Sequence, residues 1–136
     1  MKYLETLPYP VTEIPNCWIP LASGERLAAR LWLPQMPANQ AVPGVLDFFI
    51  YRKSDINVVR DSMTYAYLAG HGYACIKVDC RGTGDSDGIQ TDQFSPQYVD
   101  DALESLAWVA RQSWCSGKVG MMGLSWPGHM CLQVAA

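Results

Sequence analysis

This sequence of 136 residues has neither an excess of positive charge nor a long apolar run. Lys and Arg number 10 against 13 Asp and Glu, a net charge of -3, so the chain has no cationic excess with which to attract nucleic acid. The longest apolar runs are far shorter than the roughly 20 residues that a membrane-spanning helix needs. We therefore expect a soluble protein that binds neither nucleic acid nor a membrane.

The cysteines and the amino terminus exclude further classes. Disulfide frameworks and zinc sites need paired or closely spaced cysteines, whereas this chain has an odd number and no C-x-x-C pair. Residues 1–8 contain Glu5 and Pro8 where a signal peptide needs an unbroken apolar core, which predicts a cytoplasmic location. We expect reduced, mostly buried thiols at Cys17, Cys75, Cys80, Cys115 and Cys131.

The glycine-rich segment 80–88 indicates neither a nucleotide site nor a metal site. Its glycines lack the spacing of a dinucleotide fingerprint, and no helix begins at the last of them, Gly88. Asp85 and Asp87 lie in a short loop without the ligand spacing of an EF-hand. The sequence therefore predicts no metal and no cofactor.

Apolar segments predict the strands of a sheet. Segments 16–21 and 26–33, separated by a turn that contains Gly24, predict an antiparallel pair near a sheet edge. Segment 45–50 is apolar almost throughout, which indicates a strand buried on both faces. Segment 73–79 and the segment that ends at Gly123 predict two further strands.

Two helices are predicted between these strands. Four apolar residues at helical spacing predict the first helix, which ends near Gly70. These residues are Val59, Met63, Tyr67 and Leu68. Ser95 and Pro96 predict the start of the second helix, with an apolar stripe of Val99, Leu103, Leu106, Ala107 and Ala110. Alternating strands and helices indicate an α/β fold with a mostly parallel sheet, whose function lies at the carboxyl ends of the strands.

Residues 118–129 predict a strand, a sharp turn that carries Ser125, and a helix. Ser125 follows Gly123 by two residues, the layout of a nucleophile elbow, in which a tight turn lifts a hydroxyl above the sheet. Pro127 stands where the usual motif has a second glycine, and Gly128 follows it; proline suits a first helical turn. The alternative is an ordinary strand-to-helix turn whose serine only caps the helix.

Four segments in this order resemble the amino-terminal half of the CocE/NonD family of α/β-hydrolases: Tyr51-Arg52-Lys53, residues 78–88, residues 108–114 and residues 123–128. That family contains X-Pro dipeptidyl-peptidase-like serine hydrolases and relatives that cleave esters and acyl-amino bonds. The resemblance implies a lead of residues 1–15 followed by a partial α/β-hydrolase domain over residues 16–136, which acts on a small-molecule ester or peptide.

The resemblance also implies roles for individual residues. Ser125 resembles the nucleophile, and the Trp126 backbone N–H and the Tyr51 hydroxyl resemble the donors of an oxyanion hole. Arg81 is expected to pair with a carboxylate rather than to act in catalysis. The resemblance implies that further residues form the scaffold of the site: Asp79, Arg81, Gly82, Gly123 and Gly128.

The acid and the base of a catalytic triad are not predicted within the chain. In α/β-hydrolases both partners follow the serine, and only two histidines are present. His71 is expected to cap the first helix at the surface, and His129 is expected to point along or away from the active face. We therefore expect an amino-terminal piece whose elbow strand is left as an open sheet edge.

Three functions remain open from the sequence. The favoured one is a serine hydrolase that forms an acyl-enzyme at Ser125. The second is a non-catalytic truncated domain whose open edge pairs with a partner, with a second copy in a homo-oligomer, or with a missing carboxyl-terminal part. The third is a module that binds a small molecule above the sheet.

Overall fold

The computed structural model describes residues 6–136, so part of the expected lead of residues 1–15 lies outside the described residues. The fold has five strands and three α-helices, which alternate from the third strand onward as the α/β prediction requires. In chain order they are β1 (Val11–Pro20), β2 (Arg26–Pro34), β3 (Val42–Phe49), α1 (Val58–Gly70), β4 (Ala74–Asp79), α2 (Pro96–Ala110), β5 (Cys115–Met121) and α3 (Trp126–Ala135).

The strands form one mixed sheet in the order β1-β2-β4-β3-β5. β2 is antiparallel to both β1 and β4, whereas β3 is parallel to β4 and to β5. The predicted combination of antiparallel amino-terminal strands with a parallel remainder is therefore confirmed. Because β3, β4 and β5 are parallel, their carboxyl ends lie at one edge of the sheet, and the loops that follow them meet there.

Helices cover both faces of the sheet, which explains why β3 is apolar almost throughout. Leu46 and Phe48 of β3 belong to the larger core cluster, which also contains buried residues of α2 and α3. Val45 packs on the opposite face, in a smaller cluster with Trp32 of β2 and Tyr65 of α1. A strand covered in this way has no polar face.

Helix α1 is confirmed, but of its predicted apolar stripe only Leu68 packs against the core. Val59, Met63 and Tyr67 are 70%, 64% and 50% exposed. The buried face instead carries Asp61 and Tyr65, and Asp61 pairs with Lys77 of β4. The apolar periodicity of α1 predicted the wrong buried face, because Asp61 is buried as the partner of a lysine and a pattern of apolar residues does not include it.

The predicted apolar stripe of α2 is correct in part, because Val99 and Leu106 pack against the larger core cluster. Leu103 of the predicted stripe is exposed, while Asp101, Ser105 and Val109 are buried. Asp101 is buried because it pairs with Arg81. The predicted start is correct: α2 begins at Pro96, and the Ser95 hydroxyl accepts a hydrogen bond from the Gln97 N–H at 3.3 Å.

The ends of the sheet differ in detail from the expectation. β1 starts at Val11 rather than at residue 16 and contains a register shift between Ile14 and Cys17. Within residues 6–136, β5 pairs only with β3 and is one of the two terminal strands, β1 being the other. All five cysteines are free thiols, and Cys75, Cys80 and Cys115 are buried. No helix within the described range is both long and apolar enough to cross a membrane.

Candidate active site

The elbow at Ser125 has a strained backbone. β5 ends at Met121, and Ser125 then adopts φ 65° and ψ -123° immediately before α3 begins. A non-glycine residue held in such a conformation costs on the order of 1–3 kcal/mol, and such residues cluster at functional sites. The Ser125 side chain makes no capping hydrogen bond, so the alternative of a simple helix cap is wrong. The hydroxyl is exposed at the carboxyl edge of the sheet.

Glycines permit this turn because the backbone before and after Ser125 nearly touches. A Cβ atom on Gly123 would lie 2.4 Å from the Pro127 carbonyl carbon, and one on Gly128 would lie 3.1 Å from the Gly123 oxygen. Only hydrogen fits at Gly123, since real Cβ contacts are not this short. Pro127 is buried in the first turn of α3, where the missing N–H removes no helical hydrogen bond.

Tyr51 reaches the same place from the loop after β3. Its ring packs edge-on against Phe49, with centroids 5.4 Å apart, and its side chain is 45% exposed. Tyr51 and Ser125 together line two cavities, one of about 470 Å³ and one of about 390 Å³. The fold thus brings together the two side chains that the sequence singled out.

Trp126 has a backbone N–H at the start of α3 and a side chain that packs in the core. As the first residue of α3, it has an N–H without a carbonyl partner in the helix. The buried indole donates to the Gln93 carbonyl at 2.8 Å and meets Tyr98 edge-on at 5.7 Å. Trp126, Ser125 and Tyr51 therefore line the same cavity.

Asp79 joins the loop that carries Tyr51 to the loop after β4. Its buried carboxylate accepts hydrogen bonds from the Lys53 N–H and from the Asp85 N–H, the latter at 3.0 Å. Burial raises the pKa of Asp79, although these two N–H donors and the Lys53 ammonium oppose the rise. Gly84 must lack a side chain here because its Cβ would lie 2.0 Å from the Asp79 Oδ2 atom.

Lys53 is a residue of this network that sequence reasoning did not single out. Its side chain is almost fully buried, with the Nζ atom 2.5 Å from the Asp85 Oδ2 atom and 3.6 Å from the Asp79 Oδ2 atom. The preceding Arg52 has a left-handed φ of 72°, which turns the chain so that Tyr51 faces the cavity and Lys53 faces inward. The sequence feature that could have identified Lys53 is its position in the Tyr51-Arg52-Lys53 segment.

Arg81 is a structural ion-pair partner. Its guanidinium makes two hydrogen bonds to the Asp101 carboxylate, at 2.9 and 2.7 Å, and also pairs with Glu25. The hydrogen bonds to Asp101 raise the pKa of Arg81 further. The adjacent Gly82 has φ 69°, and its Cβ would lie 2.2 Å from the Gln90 backbone nitrogen. The expected pairing of Arg81 with a carboxylate is therefore observed.

The two histidines occupy different environments. His71 caps α1 at the surface, where its Nδ1 atom lies 2.7 Å from the Tyr67 carbonyl oxygen and its ring stacks on the Tyr67 ring. Contrary to the expectation that it points along or away from the active face, His129 lines the smaller cavity with Ser125 and packs edge-on against Phe94 at 5.4 Å. Within residues 6–136, no hydrogen bond joins either imidazole to the Ser125 hydroxyl.

A buried charge cluster beneath the larger cavity was missed by sequence reasoning. Asp47 of β3 lies beside Lys77 of β4 in the strand register, and Asp61 of α1 pairs with both Lys77 and Arg60. Burial raises the pKa of Asp47 to about 6, against the hydrogen bond from Tyr65, and burial lowers the pKa of Lys77. The available signal was one charged residue inside each of two otherwise apolar strands.

The described part of the chain holds no group of three or more His, Cys, Asp or Glu side chains arranged to bind a metal ion. The site consists of a strained serine, a phenol and a helix-terminal amide above a buried carboxylate. Groups of these types are the ones that nucleophilic attack with stabilisation of a developing oxyanion requires.

Solved structures identify the class of fold. The chain superposes with a TM-score of 0.76 on a CocE/NonD family hydrolase from Staphylococcus aureus, at 22% identity, covering 90% of this chain and 25% of that one. It superposes with a TM-score of 0.68 on an alpha/beta hydrolase from Penicillium sp. sh18, at 19% identity, covering 93% of this chain and 41% of that one. The chain thus has part of an α/β-hydrolase fold.

Sequence comparison then identifies the family. Residues 23–136 match the family model described as X-Pro dipeptidyl-peptidase (S15 family), and the chain belongs to this family. The chain is 35% identical over 123 residues to the cocaine esterase of Rhodococcus sp. (strain MB1 Bresler). That match covers 88% of this chain and 20% of the esterase, so the chain spans about a fifth of the length of this relative.

Proposed function

We propose that the protein carrying this chain is a serine hydrolase of the CocE/NonD type that cleaves ester or acyl-peptide bonds. The Ser125 Oγ atom attacks the carbonyl carbon while a base takes the hydroxyl proton. The Tyr51 hydroxyl and the Trp126 N–H donate hydrogen bonds to the oxyanion of the tetrahedral intermediate. The leaving alcohol or amine departs with the proton, and water then hydrolyses the acyl-enzyme.

The observation that carries this proposal is the strained elbow, which presents an uncapped Ser125 hydroxyl in cavities shared with Tyr51. A strained turn persists only where the surrounding structure enforces it, and Gly123 and Gly128 provide the close packing that does so. Family membership supports the same chemistry. Donors of this kind are each worth about 10²–10³ in turnover rate.

We propose further that the acid and the base of the triad lie in the part of the protein beyond these 136 residues. The curated relative described above is about five times as long as the matched region, which leaves ample chain for both groups. His71 is engaged with the Tyr67 carbonyl, and His129 lines the smaller cavity but makes no hydrogen bond to the Ser125 hydroxyl within the described residues. The free thiols of all five cysteines support a cytoplasmic location for the protein.

One observation favours a second candidate, a domain whose function is to pair with a partner. β5 is one of the two terminal strands of the described sheet, and most of its residues are partly or fully exposed. An unpaired strand edge offers a row of N–H and C=O groups to another chain. For this candidate, the 136-residue chain should elute as a dimer in size-exclusion chromatography with light scattering, and a proline at Val119 should convert it to a monomer.

The acyl-enzyme itself provides the test of the hydrolase proposal. The longest polypeptide that carries this chain is mixed with p-nitrophenyl acetate, quenched in acid and weighed intact by mass spectrometry. We expect a gain of one acetyl group that is lost in Ser125→Ala and kept in Ser95→Ala, since Ser95 only caps α2. Acetylation that persists in Ser125→Ala, or its absence in the folded wild type, would contradict the proposal.

A further inference from the structure

Tyr51 owes its position to the backbone that carries it. Within the described residues its hydroxyl makes no hydrogen bond, and its side chain is 45% exposed. A donor stabilises an oxyanion only at hydrogen-bonding distance, so its atoms must be held to within about 0.5 Å. The contacts that hold the loop at residue 51 therefore determine whether this hydroxyl can serve as a donor.

The loop that carries Tyr51 is anchored to the end of β4 on both sides. Before Tyr51, the carbonyl of Phe49 accepts a hydrogen bond from the Cys80 N–H at 3.1 Å. After Tyr51, the N–H of Lys53 donates a hydrogen bond to the Oδ1 atom of Asp79. Only three residues separate these two anchors, and Tyr51 is the middle one. A chain this short follows its anchors closely.

The second anchor depends on one side chain, because Asp79 accepts through its carboxylate whereas the first anchor joins backbone to backbone. The Asp79 side chain is 1% exposed, and its other oxygen, Oδ2, accepts a hydrogen bond from the Asp85 N–H at 3.0 Å. The Lys53 ammonium lies 3.6 Å from the same Oδ2 atom. Between Tyr51 and this anchor, Arg52 has a φ of 72°, a conformation that persists only where the surrounding contacts enforce it.

We propose that Asp79 is a positioning residue of the oxyanion hole, whose carboxylate holds the Lys53 N–H and thereby fixes the Tyr51 hydroxyl where the oxyanion forms. Lys53 supplies the countercharge that allows this carboxylate to be buried. As a statement about reaction rate the inference rests on the proposed function, whereas the position of Tyr51 can be measured without any reaction.

Asp79→Asn tests the anchor because the new amide fits in only one orientation. At the Oδ2 position an amide nitrogen would face two donors, the Asp85 N–H and the Lys53 ammonium, so the amide oxygen takes that place. The amide NH₂ group then meets the Lys53 N–H, donor against donor, and the anchor is lost. The Lys53 ammonium keeps Asp85 as its partner, at 2.5 Å.

A double-mutant cycle with Tyr51→Phe separates positioning from a general loss of structure. Acylation by p-nitrophenyl acetate is timed in the longest polypeptide that carries this chain. With Tyr51 present, Asp79→Asn should slow acylation about 10–10²-fold, since a misplacement of about 1 Å can cost 10²-fold. In the Tyr51→Phe background no hydroxyl is left to misplace, so Asp79→Asn should change the rate by no more than about twofold.

Asp101→Asn is the matched control. Asp101 is also a buried carboxylate at the end of an ion pair, but its partner is Arg81 rather than the loop of Tyr51. Any loss of rate in Asp101→Asn should therefore be the same with and without the Tyr51 hydroxyl.

Fluorine NMR of the protein labelled with 3-fluorotyrosine follows Tyr51 without any reaction. The Tyr51 signal, identified by its loss in Tyr51→Phe, should shift or broaden in Asp79→Asn and stay in place in Asp101→Asn. A Tyr51 signal that responds in this way, in a protein that p-nitrophenyl acetate does not acylate, would refute the proposed function while it supports the anchoring by Asp79.

Two results would overturn the inference. One is a loss of rate in Asp79→Asn that is equally large in the Tyr51→Phe background, and the other is an unchanged Tyr51 signal in Asp79→Asn. Should Asp79→Asn not fold, Gly84→Ala displaces the same carboxylate and keeps its charge, because the new Cβ atom would lie 2.0 Å from the Asp79 Oδ2 atom. It should then show the same dependence on the Tyr51 hydroxyl, and a loss independent of that hydroxyl would again refute the role of Asp79.

Discussion

Replacement of Asp47 by Asn should stabilise the fold at neutral pH, although it removes a charged group next to Lys77. Burial raises the pKa of Asp47 to about 6, so the folded state holds this proton more tightly than the unfolded state does. The stability that Asp47 contributes is therefore present at low pH and is lost as the pH rises through 6. Asn keeps the shape of the side chain and does not ionise.

The size of the effect follows from the two pKa values. The shift from 3.8 in the unfolded chain to about 6 in the fold corresponds to about 3 kcal/mol. This value is an upper bound, because the hydrogen bond from the Tyr65 hydroxyl becomes weaker when its acceptor is a neutral amide. We expect Asp47→Asn to be about 2–3 kcal/mol more stable than the wild type at pH 7.5.

Urea unfolding of both proteins between pH 4 and pH 8, followed by tryptophan fluorescence, measures this difference. Other groups around Asp47 also titrate or carry charge: Tyr65, Arg60 and Asp61 on α1, Lys77 on β4 and Cys131 on α3. They are present in both proteins, so the difference between wild type and variant isolates Asp47. It should shrink toward zero as the pH falls to 4.

The opposite outcome has a clear meaning. If Asp47→Asn is less stable than the wild type at pH 7.5, and the gap closes on acidification, then Asp47 is ionised and stabilised by Lys77 more strongly than burial destabilises it. The conclusion that burial outweighs the attraction of Lys77 and raises the pKa of Asp47 would then be wrong.

Three further predictions concern the network that supports the site. Lys53→Met should lower the free energy of unfolding in urea titrations by about 3–5 kcal/mol, because it leaves the Asp79 carboxylate buried without its cation. A loss below about 1 kcal/mol would contradict the role given to this pair. Gly84→Ala should lower the melting temperature far more than Gly120→Ala, because only the former places a Cβ against Asp79, and equal shifts would refute this. Tyr51→Phe should slow acylation about 10²–10³-fold in stopped-flow measurements, while the melting temperature stays unchanged. An unchanged acylation rate would exclude the Tyr51 hydroxyl as an oxyanion donor.

Local sequence carried much of the fold and of the elbow. The turn at Ser125 requires glycine at position 123 for steric reasons, so its signature is written in adjacent residues. The burial of β3 on both faces is likewise visible as a continuous apolar run. Such features depend on contacts within one segment, or on one periodicity, and a single sequence displays them.

Features that depend on distant partners were not predictable in this way. Asp61 and Asp101 are buried because Lys77 and Arg81 meet them from other elements, and a count of apolar residues assigns both helix positions to solvent. The roles of Lys53 and Asp47 likewise arise from side chains that the topology brings together. Pairing across the sheet becomes evident only once the strand order is known.

The most direct test of the central claim is the reaction of the folded protein with a fluorophosphonate probe, followed by proteolysis and mass spectrometry of the modified peptide. A nucleophile activated at the elbow should carry the phosphonyl group on Ser125 and on no other serine, and denaturation before labelling should abolish the adduct. A folded protein whose adduct forms at a different serine, or whose Ser125 peptide stays unmodified under conditions that label a known serine hydrolase, would contradict the account.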